Sequence, residues 1–169
     1  MLFCLDALVN IVSAEGERTM PITDFYIGLG QVDLKPNEFV KSFTIKKENY
    51  EGYSGKYFKY AMRNAMDIAT SSCATMVKVD DEGKIEKIKA CYGVASTVPV
   101  RVYKAEEEFI GKKLDDENIT ALAKLALEEL SPRNSWRASK ALRTQILYEI
   151  CRRNLKESLE EYKGEDDED

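Results

Sequence analysis

Apolar and polar positions alternate at two periods along this chain, and the change falls near Ala105. Leu8 to Ser13 is a short apolar run, Glu15-Gly16 is a turn signal, and residues 17–20 can return as a second strand. Such a hairpin is marginal alone and needs a sheet or a partner to pack on. Gly28-Leu29-Gly30 and Lys35-Pro36-Asn37 then break the pattern, which puts a boundary near Leu34. Beyond it Phe39, Lys41, Phe43 and Ile45 share one face at period two, with Val40, Ser42 and Thr44 on the other. Residues 57–62 are aromatic-rich and strand-like. Cys73, Thr75, Val77 and Val79 alternate up to Asp80-Asp81-Glu82-Gly83, a hairpin signal, and Ile88, Ala90, Tyr92 and Val94 line one face of the next strand. Ile85 is out of phase with them, which predicts a bulge or a strand start near Glu86. Residues 100–103 add a short fifth strand.

Beyond Ala105 the period is helical. Ile119, Leu122, Ala123, Ala126 and Leu130 fall at i, i+3, i+4, i+7 and i+11, with Asp115 or Asp116 as N-cap and Ser131-Pro132 as the stop. A second helix is predicted over 136–162. Its Leu142-Ile146-Ile150 and Leu147-Cys151-Leu155 rows lie about 100° apart, broad enough for contact on two sides. Residues 163–169 are a like-charge tail and are expected to be disordered. Strands followed by segregated helices predict an α+β fold. In it a small antiparallel sheet over 38–103 packs against a C-terminal helical layer, with the hairpin of 1–33 as an appendage.

Composition narrows the chemistry. A length of 169 residues corresponds to one domain of ordinary size. The chain has no histidine, which excludes imidazole acid–base catalysis, Ser-His and Cys-His nucleophiles and HExxH zinc sites. Its net charge of −5 and pI near 5.1 argue against nucleic acid and anionic membranes as partners. Cys4, Cys73, Cys91 and Cys151 show no ligand spacing and read as small buried apolar residues. The apolar start lacks a basic n-region and carries Asp6 and Asn10, so it reads as a buried strand, and a cytoplasmic location is expected.

Gly28-Leu29-Gly30 has no helix after it and reads as a turn, not a nucleotide loop. Glu106, Glu107, Glu108, Glu128 and Glu129 fall on apparent helix surfaces, where solvated faces are the default. Five of the eight arginines, Arg133, Arg137, Arg143, Arg152 and Arg153, surround the last helix as a solvated flank or a polar subunit interface. The densest cluster runs from Tyr57 to Ala69, an aromatic strand leading into a loop with Lys59, Arg63 and Asp67. It reads either as core strand plus turn or as strand-end charges facing a flat, polar-edged ligand such as a flavin, which needs apolar walls and donors at its edges.

The order of motifs then becomes recognisable. Arg18-Thr-Met-Pro-Ile-Thr-Asp-Phe25, Gly28-x-Gly30, Leu34-x-Pro36-x-Glu38, Lys59-x-x-x-Arg63-Asn-Ala-Met-Asp-Ile-Ala69 and Ser135-Trp-Arg-Ala-Ser139 occur in sequence. Together they resemble the C-terminal part of the FAD-binding subunit of molybdenum hydroxylases, the xanthine dehydrogenase and carbon monoxide dehydrogenase medium-chain family. The resemblance implies an FAD-dependent oxidoreductase component that takes electrons from a molybdopterin-binding large subunit by way of an iron–sulfur small subunit. It makes residues 1–33 the last strands of an FAD-binding domain and 34–162 the α+β domain that follows it. By the family pattern Val40 gives the flavin an apolar contact and Lys59 a polar one, and Asp67 and Ile68 lie in the loop beside the ring. The family's glycine-rich phosphate loops would lie before Met1, so the chain alone is expected to bind FAD weakly and to show no turnover. An unpaired edge on the N-terminal strands invites self-association. The alternative is a cofactor-free module that docks hydroxylase subunits.

Overall fold

The computed structural model describes residues 1–166. The chain opens with β1 (Leu8–Ser13), β2 (Gly16–Pro21), a one-turn helix α1 (Ile22–Phe25), β3 (Tyr26–Gly28), β4 (Gln31–Val32) and β5 (Phe39–Thr44). It continues with β6 (Ser54–Tyr60), β7 (Ser71–Val79), β8 (Ile85–Gly93) and β9 (Val100–Arg101), then α2 (Tyr103–Phe109), α3 (Asp116–Ala126) and α4 (Lys140–Asp166). Two antiparallel sheets result, one in the order β2-β1-β5 and one in the order β6-β7-β8-β9, with β3 and β4 as a small separate ladder. This is the α+β arrangement that the change of period predicts. The bulge also falls where expected: Lys78 faces Lys87 and Val79 faces Ile85, which leaves Glu86 over.

One strand departs from expectation. Residues 39–44, read as part of the C-terminal sheet, pair with β1, Val40 opposite Ile11 and Phe43 opposite Val9. The reason lies in β1, whose Val9 and Ile11 are buried and whose second edge would otherwise hold unpaired backbone groups. Asn10 adds side-chain bonds across the pair, to Ser42 Oγ at 3.0 Å and Thr44 Oγ1 at 2.8 Å. One edge of the predicted hairpin is therefore satisfied within the chain.

The β6–β9 sheet is covered on both faces. Cys73 and Val77 on β7 join Ala90 and Tyr92 in a core with Leu122, Leu147 and Cys151 of the helices. Ala74 and Met76, one step out of phase, join Cys91 in a second core with Cys4, Val9, Ile11 and Ile22. Period two thus assigns alternate residues of one strand to different cores.

Asp115 is the cap of α3, its Oδ1 accepting from Asn118 N at 2.9 Å. The last helix begins at Lys140 rather than at residue 136, because Ser135 bridges to Ala138 in a tight turn and Ser139 Oγ accepts from Leu142 N at 3.2 Å as the cap. The broad apolar face of α4 meets the sheet on one side and α3 on the other. The helix runs through Asp166, so the disorder expected from residue 163 does not begin there; 167–169 lie outside the described residues. Tyr162 holds these last turns, its hydroxyl donating to Val77 O at 2.7 Å.

Two charged side chains are not on solvated surfaces as expected. Glu106 is 6% exposed and takes both Nε (2.7 Å) and Nη2 (2.5 Å) of Arg101, together with Ala90 N at 2.8 Å. Arg101 Nη1 also reaches Asp6 Oδ1 at 2.7 Å and Phe3 O at 3.0 Å, and Lys89 pairs with Asp6 Oδ2 at 2.7 Å. Burial opposes the Arg101 charge, but Glu106 and Asp6 outweigh it and raise the guanidinium pKa. Residues 3–6 are thereby bound to the second sheet. Arg143 is 2% exposed and donates to Thr70 O and to Ser135 Oγ, so it leaves the proposed solvated flank. Burial, with Arg133 and Arg137 nearby, lowers its pKa.

Candidate functional site

At Tyr60 strand β6 runs out into a loop whose base is closed by Thr70 N donating to Tyr60 O at 2.8 Å. Asp67 shapes the inside of this loop. Its Oδ2 accepts from Met62 N at 2.9 Å and Arg63 N at 3.0 Å, and its Oδ1 from Ile68 N at 2.9 Å. Burial alone would push this carboxyl up; the N–H groups of Arg63, Ile68 and Met62 outweigh that and hold it below the usual carboxylate range. Lys59 Nζ donates to Asp67 O at 3.1 Å, and Arg63 Nη2 to Met66 O at 2.7 Å. Met66 turns the chain at φ 51°, and Met62, Met66 and Ile68 stand exposed.

Lys59, Asp67 and Ile68 are therefore one unit, an ammonium and a carboxylate fixing a loop that displays apolar side chains. Val40 is elsewhere. It stands on β5 in the other sheet, half-buried against the N-terminal core. Gly28-Leu29-Gly30 is the turn of the β3–β4 ladder, with Gly30 at φ 68°, as its lack of a following helix predicts.

The face of the β6–β9 sheet opposite α4 carries a cavity of about 340 Å³, closed by the coil before β1, by α1 and by β3. Its lining includes Phe3 and Tyr26 from the N-terminal side and Tyr57, Ser72, Cys91 and Gly93 from the second sheet. Two cross-strand rows make this floor. Tyr57, Ala74 and Cys91 form one, and Lys59, Ser72 and Gly93 the other. Directly paired residues share a face, so Lys59 stands on the cavity side of the sheet. Gly93 keeps the floor open: a Cβ there would lie 2.5 Å from Ser72 Oγ. The loop was legible in the sequence, whereas this floor was missed because register, not spacing, gathers positions 57, 72, 91 and 93. The one available signal was the period-two relation that puts Tyr57 on the face of Lys59.

Aromatic walls and a hydroxyl in the cavity, with an ammonium on the same sheet face at the strand end, suit a planar ring with a polar edge. The fold and this site define a class, an α+β module with a helix-backed sheet and a largely apolar recess on its other face. Residues 56–158 match the model of the CO dehydrogenase flavoprotein C-terminal domain, and residues 1–46 match that of the FAD binding domain in molybdopterin dehydrogenase. The chain belongs to the CO dehydrogenase flavoprotein C-terminal domain family. It is 33% identical over 154 residues to the xanthine dehydrogenase FAD-binding subunit of Escherichia coli O157:H7, covering 91% of this chain and 52% of that one. It is 29% identical to the glyceraldehyde dehydrogenase medium chain of Sulfolobus acidocaldarius, over 93% of this chain and 54% of that one. Its fold matches quinoline 2-oxidoreductase from Pseudomonas putida 86 with a TM-score of 0.84 at 24% identity, over 93% of this chain and 53% of that chain. CO dehydrogenase from Oligotropha carboxidovorans matches with a TM-score of 0.83 at 21% identity, over 93% and 54%. The chain spans about half the length of the curated relatives it matches. No helix among the described residues is long and apolar enough to cross a membrane.

Proposed function

We propose that this chain supplies one wall of the flavin site in an FAD-binding oxidoreductase subunit of the xanthine dehydrogenase type. Its partners are a molybdopterin-binding large subunit and an iron–sulfur small subunit, in the cytoplasm. The observation that carries this reading is that Lys59, tied to the loop by its bond to Asp67 O, stands on the sheet face that carries the cavity floor of Tyr57, Ser72, Cys91 and Gly93. FAD, when bound, supplies the electron transfer. The chain's own residues bind and orient it. Ile68, exposed in the loop, and Val40, on the other sheet, would offer apolar contact, the donors of Lys59 not used on Asp67 O would meet the ring's polar edge, and Asp67 holds the loop in shape. The Gly28-Leu29-Gly30 turn offers no helix N-terminus to a pyrophosphate, so binding by this chain alone is weak.

Weak binding is still readable residue by residue. In a nuclear magnetic resonance titration with millimolar FAD, amide shifts should concentrate at Lys59, Asp67, Ile68 and Val40, while AMP leaves them unmoved. Lys59→Met should weaken the FAD response several-fold. Shifts confined to other residues, or an equal response to AMP, would refute the assignment.

A further inference from the structure

The four cysteines form two pairs on opposite faces of the β6–β9 sheet. Cys73 on β7 and Cys151 on α4 lie in the helix-side core, both fully buried. Cys4 and Cys91 lie in the other core. The Cys4 thiol donates to Ala74 O at 3.3 Å and lies 3.8 Å from Lys89 O, and Ala74 is directly across the ladder from Cys91. Cys4 and Cys91 thus pack beside each other in that core. Burial pushes the Cys4 thiol up, whereas the neighbouring Cys4, helped by the Arg101 charge, draws Cys91 down against its own burial. The pairs differ in access. Cys91 forms part of the lining of the 340 Å³ cavity, and residues 1–3 lie along the same cavity; Cys73 and Cys151 are sealed at 0% exposure.

We infer that Cys91 and Cys4 form a peroxide-reactive dithiol, Cys91 attacking and Cys4 resolving. A peroxide is small enough to enter the cavity and reach the Cys91 sulfur. The Cys91 thiolate attacks one peroxide oxygen and the O–O bond breaks. The departing hydroxide takes up a proton as water, and Cys91 is left as a sulfenic acid. The Cys4 sulfur then attacks the Cys91 sulfur; the S–O bond breaks and the hydroxyl leaves with the Cys4 proton as a second water. Two thiols are oxidised to one disulfide while one peroxide is reduced to two waters. The bond joins the coil before β1 to β8, on the segment that Asp6 already ties to Arg101 and Lys89, and so fixes residues 1–5 over the cavity. Cys73 and Cys151 serve as the internal control, since a similar thiol pair without access should not react.

The test treats the whole native chain with hydrogen peroxide, alkylates remaining thiols in denaturant and maps the peptides by mass. The expected product is a Cys4–Cys91 disulfide, with Cys73 and Cys151 recovered alkylated. In Cys4→Ala, Cys91 should stop at the sulfenic acid and be trapped by dimedone; in Cys91→Ala, Cys4 should stay reduced. The proposal is overturned if all four thiols survive peroxide that oxidises free cysteine, or if Cys73 and Cys151 join instead. Oxidation of Cys4 in Cys91→Ala would equally overturn it. The wild-type map decides the matter even if neither variant folds.

Discussion

Val94 follows β8 with φ at 58°, in the left-handed region where a β-branched side chain crowds the backbone. Glycine relieves that crowding and alanine does not. Val94→Gly should therefore be more stable than Val94→Ala by about 1 kcal/mol in denaturant unfolding, the reverse of the usual order of these two residues. Equal stabilities, or alanine the higher, would show that the conformation carries no strain. Glu38 is a second single-residue case. Both its oxygens take Arg18 nitrogens at 2.8 Å, and Lys35 N donates to it at 2.8 Å, so its carboxyl is held down to about 2. A folded-state pKa below the ordinary 4.5 means that its contribution is present above about pH 4.5 and is lost as the pH falls toward 2. Glu38→Gln should flatten the fall of the melting temperature across that window. An unchanged acid profile would show that the Arg18 pairing does not support the fold.

Among the elements, α4 depends on polar attachments as well as on its apolar face. Asn154 Nδ2 donates to Cys73 O at 3.2 Å, and the Tyr162 hydroxyl both donates to Val77 O at 2.7 Å and accepts from Ser54 N at 3.1 Å. Tyr162→Phe leaves two partly buried backbone groups without that partner, for an expected loss of about 1–3 kcal/mol. Urea unfolding measures it, and hydrogen exchange should show the last turns of α4 opening first. A loss near zero would mean that water replaces the hydroxyl at no cost. The ladder strands were legible because a strand with one face on each core must alternate. The stop of α4 was not, since an acidic tail reads as solvated until Tyr162 is seen to anchor it.

For the whole molecule the decisive junction lies between the coil before β1 and the second sheet. Arg101 and Glu106, 8% and 6% exposed, are linked to each other and to Asp6. Arg101→Met would leave Glu106 buried as an uncompensated charge, at a cost of about 3–5 kcal/mol. That is a large share of the roughly 5–15 kcal/mol by which domains are stable. Adding Glu106→Gln removes the charge yet keeps an acceptor for Ala90 N, so the double variant should recover part of the loss. Chemical denaturation of the single and double variants reads this directly. If the double variant is no more stable than Arg101→Met alone, buried charge is not the cause.

The α+β class, the hairpin, the bulge at Glu86, a cap at Asp115 or Asp116 and the charged loop with Lys59, Arg63 and Asp67 could all be read from the chain itself. Each rests on period, turn chemistry or capping, which act over a few residues. Tertiary structure decided the rest. Residues 39–44 joined β1, Glu106 turned inward to Arg101, Arg143 was buried beneath Thr70 and Ser135, and positions 57, 72, 91 and 93 came together as the floor of a cavity. These outcomes depend on which strand edges need partners and which charges meet at a junction. Such competition is settled between distant segments, and no local pattern records its result.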